Sequence, residues 1–190
     1  MNIKQSIEDS IALKNSILND QFLIETIDKA SKAIISTFRS GGKVMFCGNG
    51  GSAADAQHLA AELSGRFYYD RDPLPAEALH VNTSYLTAVA NDYGYDEVFS
   101  RMVKGSGKKG DILVGLSTSG NSKNVIKAFE TAIAAGMTTI GFTGASGGKM
   151  KDISNHLINV PSENTARIQE AHIMIGHILC EIVESNIYPR

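Results

Sequence analysis

Apolar residues recur along this chain at two different spacings, and the alternation between them predicts its architecture. Residues 3–18 and 23–38 carry apolar side chains at helical intervals, which predicts two amphipathic helices. From residue 43 onward, short apolar runs typical of buried strands alternate with longer helical patterns. The runs cover residues 44–47, 76–81, 112–116, 138–142 and 156–160. Strands that alternate with helices in this way indicate an α/β fold with a parallel sheet.

The segments around these strands carry start and stop signals for helices. The predicted helices of this part of the chain cover residues 52–66, 84–91, 97–104, 121–135 and 164–187. The charged segment 68–75 contains two prolines, and we expect it to form a surface loop. A chain of 190 residues can bury one sizeable core, so we expect a single domain over residues 1–190.

The composition is that of an ordinary globular protein, with 43% hydrophobic and 20% charged residues. The net charge of -2 gives no reason to expect nucleic acid or an acidic membrane surface as a partner. No run approaches the roughly 18 apolar residues that a membrane helix needs, so we expect a cytoplasmic protein. Cys47 and Cys180 lie in apolar contexts, which favours two buried thiols over a disulfide or a thiolate metal site.

Two loops rich in glycine and serine each follow a predicted strand and precede a predicted helix. Their sequences are Gly48-Asn49-Gly50-Gly51-Ser52 and Ser117-Thr118-Ser119-Gly120-Asn121-Ser122. Ligands of open parallel sheets bind beyond the carboxyl ends of the strands, where both loops are expected to lie. Main-chain N–H groups, hydroxyls and helix N-termini can surround a phosphate without a cationic side chain. The pair of loops favours a shared phosphorylated ligand, although either loop alone also fits a simple helix cap.

His58 and Glu62 are four residues apart in the helix after the first loop, so they share one face. On a helix surface such a pair is commonly a solvated contact worth a few tenths of a kcal/mol. Leu59 and Leu63 mark the buried side, which puts the pair at its border near the anion loop and favours proton transfer on the bound ligand. His177 lies on the apolar last helix, where a lone histidine is more often a core residue, and the spacing there matches no compact zinc motif.

A dinucleotide site is the first alternative, because Gly48-x-Gly50-x-x-Ala53 fits the loose fingerprint of such sites. A dinucleotide site also needs an acidic residue after the second strand to bind the ribose, and Asn82-Thr83-Ser84 stands there instead. The lysine of a P-loop is missing from the first loop, which argues against nucleotide triphosphates.

The motifs taken together resemble those of the sedoheptulose 7-phosphate isomerases, which are the phosphoheptose isomerases of the sugar isomerase (SIS) domain superfamily. The resemblance runs nearly end to end. It is carried by the segment 47–58, by Asn91-Asp92, by the serine loop 117–122 and by Arg167-Ile168-Gln169-Glu170-x-His172.

This resemblance implies a three-layer, doubly wound sandwich with a five-stranded parallel sheet, two N-terminal helices and a long C-terminal helix. It implies a homotetramer in which the helical pair of residues 1–40 takes part in oligomer packing and residues 41–190 form the α/β core. The implied activity is an aldose-ketose isomerisation of sedoheptulose 7-phosphate to D-glycero-D-manno-heptose 7-phosphate. That product would feed heptose synthesis for lipopolysaccharide or other surface glycans.

The resemblance also implies roles for individual residues. The implied ligands of one zinc ion per subunit are His58, Glu62, Gln169 and His177. The implied substrate contacts are Asn49, Gly50, Gly51, Ser52, Glu62, Asn91, Asp92, Ser117, Thr118, Ser119, Ser122 and Gln169. We expect Glu62 to move the carbon-bound proton and His177 to move a proton between the sugar oxygens. Gln169 and His177 are about 12 Å apart along a regular helix, so we expect the active site at a subunit interface.

Non-catalytic relatives are the second alternative: they bind a replication initiator or sense a phosphosugar while keeping the fold and much of the loop sequence. Those relatives lack acid/base groups at the positions of Glu62 and His177. This chain has both residues, which favours catalysis.

Overall fold

Five parallel strands form a single sheet in the structure, a computed structural model that describes residues 2–190. In chain order the elements are α1 (Ile3–Leu18), α2 (Gln21–Arg39), β1 (Val44–Gly48), α3 (Gly51–Ser64), β2 (Ala76–Ala78), α4 (Thr83–Tyr93), α5 (Val98–Ser106), β3 (Ile112–Leu116), α6 (Lys123–Ala134), β4 (Thr138–Thr143), β5 (His156–Asn159) and α7 (Thr165–Ile187). Short 3-10 helices at Tyr95–Glu97 and Gly148–Asp152 precede α5 and β5. The five-stranded parallel sheet and the long final helix confirm the fold class expected from the sequence.

The strand order β2-β1-β3-β4-β5 places the two glycine- and serine-rich loops side by side. From β1 the chain moves outward to β2 and then crosses back to β3 on the other side of β1. Gly48, the last residue of β1, pairs with Leu116, the last residue of β3. The loops that follow these strands therefore leave the sheet together at its topological switch point, where open α/β sheets bind ligands.

Alternate residues of the strands pack into two different cores, which makes the fold a three-layer sandwich. Val44 and Phe46 of β1 pack on one side of the sheet, with α2, α3 and α7. Met45 and Cys47 pack on the other side, with α5 and α6. Both cysteines are buried and free, as expected, and burial raises the pKa of the Cys180 thiol to about 12. Within residues 2–190, no helix has both the length and the apolar character needed to cross a bilayer.

One strand boundary of the sequence-based prediction is wrong. The second strand ends at Ala78 rather than at residue 81. The Asn82 side chain accepts a hydrogen bond from Tyr85 N and caps the start of α4, so the chain has to leave the sheet and turn before residue 82. The segment 68–75 is a largely exposed loop, as expected, but two of its side chains are buried. Leu74 is 5% exposed and the Arg71 side chain only 2% exposed, since this segment packs back over the end of α3.

His172 is the fully buried histidine of α7 and faces the end of β4. Its Nε2 donates to the Thr143 carbonyl at 3.1 Å, and its ring lies nearly perpendicular to the Phe142 ring. Burial lowers the pKa of His172 to about 4, against the smaller effect of the Thr143 hydrogen bond. The neutral form is therefore the one that the fold accommodates.

We expect His172 to make the protein sensitive to acid. A folded-state pKa below the unfolded value means that its stabilising effect is complete above about pH 6.5 and is lost as the pH falls toward about 4. The loss between about pH 7.5 and about pH 5 should be about 2 kcal/mol in the free energy of unfolding. Urea unfolding of wild type and His172→Gln at both pH values measures it. Equal pH dependence in the two proteins would contradict the prediction.

Candidate active site

Three side chains from two helices converge on one point at the surface. His58 and Glu62 of α3 are in contact, with 2.9 Å between His58 Nε2 and Glu62 Oε1. His177 of α7 brings its Nε2 to within 3.1 Å of His58 Nε2. The potential ligand atoms of all three residues lie within 4.8 Å of one another. The histidine that sequence reasoning alone would have left in the core is thus part of this cluster.

A close approach of α3 and α7 makes this cluster possible. A Cβ atom at Gly176 would lie 2.6 Å from both methyl groups of Leu59, so a larger residue at position 176 would push the helices apart. His177 follows Gly176 in α7 and His58 precedes Leu59 in α3. These two histidines therefore meet across the groove between the two helices. Phe67 packs beside them, with its ring centroid 5.7 Å from that of His177.

The donor set of this cluster fits a zinc ion. Two imidazoles and a carboxylate are ligands that zinc takes in catalytic sites, which keep further positions open. Neighbouring ligand atoms on a zinc tetrahedron are roughly 3.3 Å apart, given zinc–nitrogen distances of about 2.0–2.1 Å. The contacts of His58 with Glu62 and with His177, at 2.9 and 3.1 Å, are close to that separation. The side chains remain reachable, since those of His58 and Glu62 are 49% and 25% exposed.

Gln169 lies at the other end of the groove between α3 and α7. A Cβ atom at Gly51 would lie 2.5 Å from Gln169 Nε2, so the amide rests on the first residue of α3. Along α7 this is eight residues, or about 12 Å, from His177. Within one chain the structure therefore brings together three of the four expected zinc ligands and holds Gln169 beside the first loop.

The first loop is joined to the start of α6 by an amide pair. Asn49 Nδ2 donates to Asn124 Oδ1 and Asn124 Nδ2 donates to Asn49 Oδ1, both at 2.9 Å. Gly50 has φ +56° and is the N-cap residue at which the chain turns into α3. Ser52 is buried at the start of the helix. The two loops are thus held against each other at the edge of the sheet.

The second loop presents hydroxyl groups beside this turn. Ser117 Oγ and Ser122 Oγ are 2.9 Å apart, and Ser122 is the N-cap residue immediately before α6. Ser119 Oγ accepts from Asn121 N, and the side chain of this serine is exposed at the rim with the half-buried Thr118. Hydroxyls and a helix N-terminus in this arrangement can bind a phosphate through neutral donors.

Comparison with known proteins decides the family. The SIS domain family model matches residues 8–144. A phosphoheptose isomerase of Aneurinibacillus thermoaerophilus is 50% identical over 186 residues, which cover 98% of this chain and 94% of that protein. The chain belongs to the phosphoheptose isomerase family of SIS-domain proteins.

Solved structures of phosphoheptose isomerases agree with this assignment. The structure from Francisella tularensis has a TM-score of 0.92 at 40% identity and covers 96% of each chain. The structure of GmhA from Neisseria gonorrhoeae has a TM-score of 0.90 at 44% identity, covering 96% of this chain and 97% of that one. The family resemblance that the motifs indicated is therefore confirmed.

In this member of the phosphoheptose isomerase family, Asn91 and Asp92 belong to the last turn of α4. Both are exposed near the end of α4, and Asn91 Nδ2 donates to Asp92 Oδ1 at 2.9 Å. Within the part of the chain that the structure describes, neither side chain makes a hydrogen bond to either loop. A substrate contact from these two residues stays a prediction.

Two polar residues near the site were missed by sequence reasoning. Asn124 was hidden among the helix-starting residues of α6, and only its pairing with Asn49 makes it part of the loop architecture. Asp55 precedes His58 by three residues on the same helical face, which was the available signal. Its Oδ2 is buried without a hydrogen-bond partner, and burial raises the pKa of Asp55 against the opposing charges of His58 and His177.

Proposed function

We propose that this protein is an aldose-ketose isomerase that converts sedoheptulose 7-phosphate to D-glycero-D-manno-heptose 7-phosphate through an enediol. This step would supply heptose for lipopolysaccharide or other surface glycans. The observation that carries the proposal is the convergence of Glu62 and His177 at 4.8 Å or less in a chain that is 50% identical to a phosphoheptose isomerase. A base and a proton carrier are what ketose-to-aldose conversion requires.

The proposed chemistry needs two proton transfers. Glu62 removes the proton from the carbon next to the carbonyl and returns it to the neighbouring carbon. His177 moves a proton between the two sugar oxygens, for which an imidazole is suited near neutral pH. General acid/base action of this kind contributes about 10²- to 10⁴-fold per group.

A zinc ion, one per subunit, completes the proposed site. His58, Glu62 and His177 would hold it, and Gln169 would be supplied by a second copy of the chain, since the Gln169 on the same α7 lies too far along the helix. When bound, the ion supplies a Lewis acid that polarises the substrate carbonyl. The nature of the donors and their mutual distances support this part of the proposal.

The substrate phosphate is proposed to bind at the rim between the two loops. Ser117, Thr118, Ser119 and Ser122 supply hydroxyls and the segment 49–52 supplies main-chain N–H groups, while Asn91, Asp92 and Gln169 contact the sugar. Along α3, His58 follows Gly51 by seven residues, or about 10 Å. That separation is comparable to the length of an extended seven-carbon sugar, whose reacting carbons lie at the end opposite to the phosphate.

The proposal extends to a homotetramer with its active sites at subunit interfaces, packed in part through residues 1–40 of the single domain 1–190. An apolar groove of about 460 Å³ between α1, α2 and α7 supports it, lined by Ile17, Ile24, Ile178 and neighbouring residues. Ile3, Ile7 and Phe22 are 83%, 55% and 72% exposed on the same helices. A cytoplasmic location is also proposed, because free buried thiols fit a reducing compartment.

Sedoheptulose 7-phosphate given to the purified protein tests the function. We expect the aldose phosphate to appear, to be suppressed by a chelator and to return when zinc is restored. Unphosphorylated sedoheptulose serves as the matched control and should react poorly, because the two loops bind only its phosphorylated form. Absence of the aldose with and without chelator would favour a non-catalytic protein that binds a replication initiator or senses a phosphosugar, which a binding assay would examine.

A further inference from the structure

A buried ion pair lies below the cluster of His58, Glu62 and His177. Arg71 Nε donates to Glu184 Oε1 at 3.0 Å, and the two side chains are only 2% and 1% exposed. Glu184 belongs to α7, two turns beyond His177. Removing two charges from water is costly, and an apolar pair of similar volume is often as stabilising. Fold stability alone therefore does not explain why these two charges are here.

The contacts of Arg71 fix the end of the helix that carries Glu62. Its Nη2 donates to the main-chain carbonyl of Glu62 itself at 2.9 Å. Its Nη1 donates to the carbonyls of Leu63 and Gly65 at 2.8 and 2.9 Å. These carbonyls belong to the last turn of α3 and to its C-cap residue Gly65, where a helix has no partners of its own for them. The rigid, planar guanidinium thus holds the last turn of α3 in one orientation.

The contacts of Glu184 fix the other side of the cluster. Its two carboxylate oxygens accept from Phe67 N at 2.9 Å and Tyr68 N at 2.8 Å. Phe67 is the residue whose ring packs beside the His177 ring. Burial alone would raise the pKa of Glu184, but the two N–H groups and Arg71 outweigh it and hold that pKa below its usual value. Glu184 is thus ionised and hydrogen-bonded both to Arg71 and to the main chain of Phe67 and Tyr68.

We propose that the Arg71–Glu184 pair is a positioning device that holds Glu62 of α3 against His177 of α7 at the separation that metal binding and proton transfer require. The pair connects three parts of the chain in one network of hydrogen bonds: the last turn of α3, the main chain of Phe67 and Tyr68, and α7. Supporting residues of this kind must hold reacting groups to within about 0.5 Å. As far as catalysis is concerned, this inference rests on the proposed isomerase function, whereas the effect on metal binding is independent of it.

Arg71→Lys is the most informative variant, because it keeps the positive charge and changes only the geometry of the donors. A single ammonium group cannot reach Glu184 and all the carbonyls at the end of α3 together, as the planar guanidinium does. We expect it to lower kcat about 10- to 100-fold with little change in KM, and to weaken zinc binding by a similar factor. The two loops that bind the phosphate are untouched, which is why KM should remain. Urea unfolding of each variant shows how far a change follows from stability.

Two further variants of this protein complete the test. Arg39→Lys is the matched control, since Arg39 donates to the Asn186 carbonyl of α7 at 2.9 Å but lies away from the cluster, and its kcat and zinc affinity should equal those of wild type. The double variant Arg71→Leu, Glu184→Leu replaces the ion pair by an apolar one. If it unfolds at the wild-type urea concentration and still shows the reduced kcat and zinc affinity, positioning is supported.

The two proposals can fail separately. A wild-type protein that binds zinc but leaves sedoheptulose 7-phosphate unchanged would refute the isomerase function, and weaker zinc binding by Arg71→Lys would still support positioning. An active wild type with Arg71→Lys within about twofold of it in kcat and zinc affinity would overturn the positioning role. Recovery of both quantities in the double variant would also overturn it, because the pair would then serve only the stability of the fold.

Discussion

Replacing Glu62 with glutamine should lower kcat by about 10²- to 10⁴-fold and leave the protein folded. The amide is nearly the same size as the carboxylate and the side chain is 25% exposed, so the change does not strand a charge in the core. It removes the only group at this position that can accept a proton from carbon. Steady-state kinetics with sedoheptulose 7-phosphate, together with exchange of the carbon-bound hydrogen with solvent deuterium, measures the loss.

Glu181→Gln provides the control for Glu62→Gln. Glu181 is an exposed carboxylate one turn beyond His177 on α7, so its replacement makes the same change of charge near the site without touching the cluster. Its kcat should stay at the wild-type value. The zinc content of both variants must be measured, because it separates loss of a base from loss of a ligand. Near-normal turnover and solvent exchange in Glu62→Gln would show that another group moves the proton.

Replacing Gly120 with alanine is expected to damage the phosphate loop severely. Gly120 has φ +64°, and a Cβ atom there would lie 2.1 Å from the Gly147 carbonyl oxygen. The left-handed conformation costs about 1–2 kcal/mol for alanine. Forcing the loop of Gly120 away from the loop of Gly147 adds about 1–3 kcal/mol. We expect the free energy of unfolding to fall by about 2–5 kcal/mol, with KM for the sugar phosphate at least tenfold higher.

Gly41→Ala is the matched control for Gly120→Ala. Gly41 has φ +77°, but nothing lies within 4 Å of its added Cβ, so only the backbone strain is shared. It should cost about 1–2 kcal/mol and leave KM unchanged. Urea unfolding and KM, measured for both variants, separate the effect of backbone strain from the effect of the steric collision with Gly147. If the two variants behaved alike, the tight contact between the loops of Gly120 and Gly147 would have no role in binding.

Features set by local periodicity were predictable from the sequence. Strands and helices were placed within a few residues because apolar spacing differs between them. The contact between His58 and Glu62 followed from helical spacing alone. The meeting of the two loops followed from parallel topology, since every parallel strand ends at the same rim. The separation of Gln169 from His177 was likewise fixed by the rise of a helix.

Features set by long-range packing were not predictable in the same way. Arg71 lies in a charged, proline-containing segment, and its burial depends on Glu184, which is 113 residues away in sequence. Asn49 and Asn124 are 75 residues apart, and nothing in either local sequence distinguishes a partner from a helix cap. The place of His177 in the cluster required the close approach of α3 and α7, which the missing side chain of Gly176 permits.

The reciprocal amide pair of Asn49 and Asn124 has a consequence for how such a site can change. Each amide donates to and accepts from the other, so aspartate at either position would set two acceptors against each other and an apolar residue would strand the remaining amide. Neither position can be altered alone without loosening the rim. Any redesign toward a different phosphorylated ligand would have to exchange both residues in one step and move the two loops as a single part.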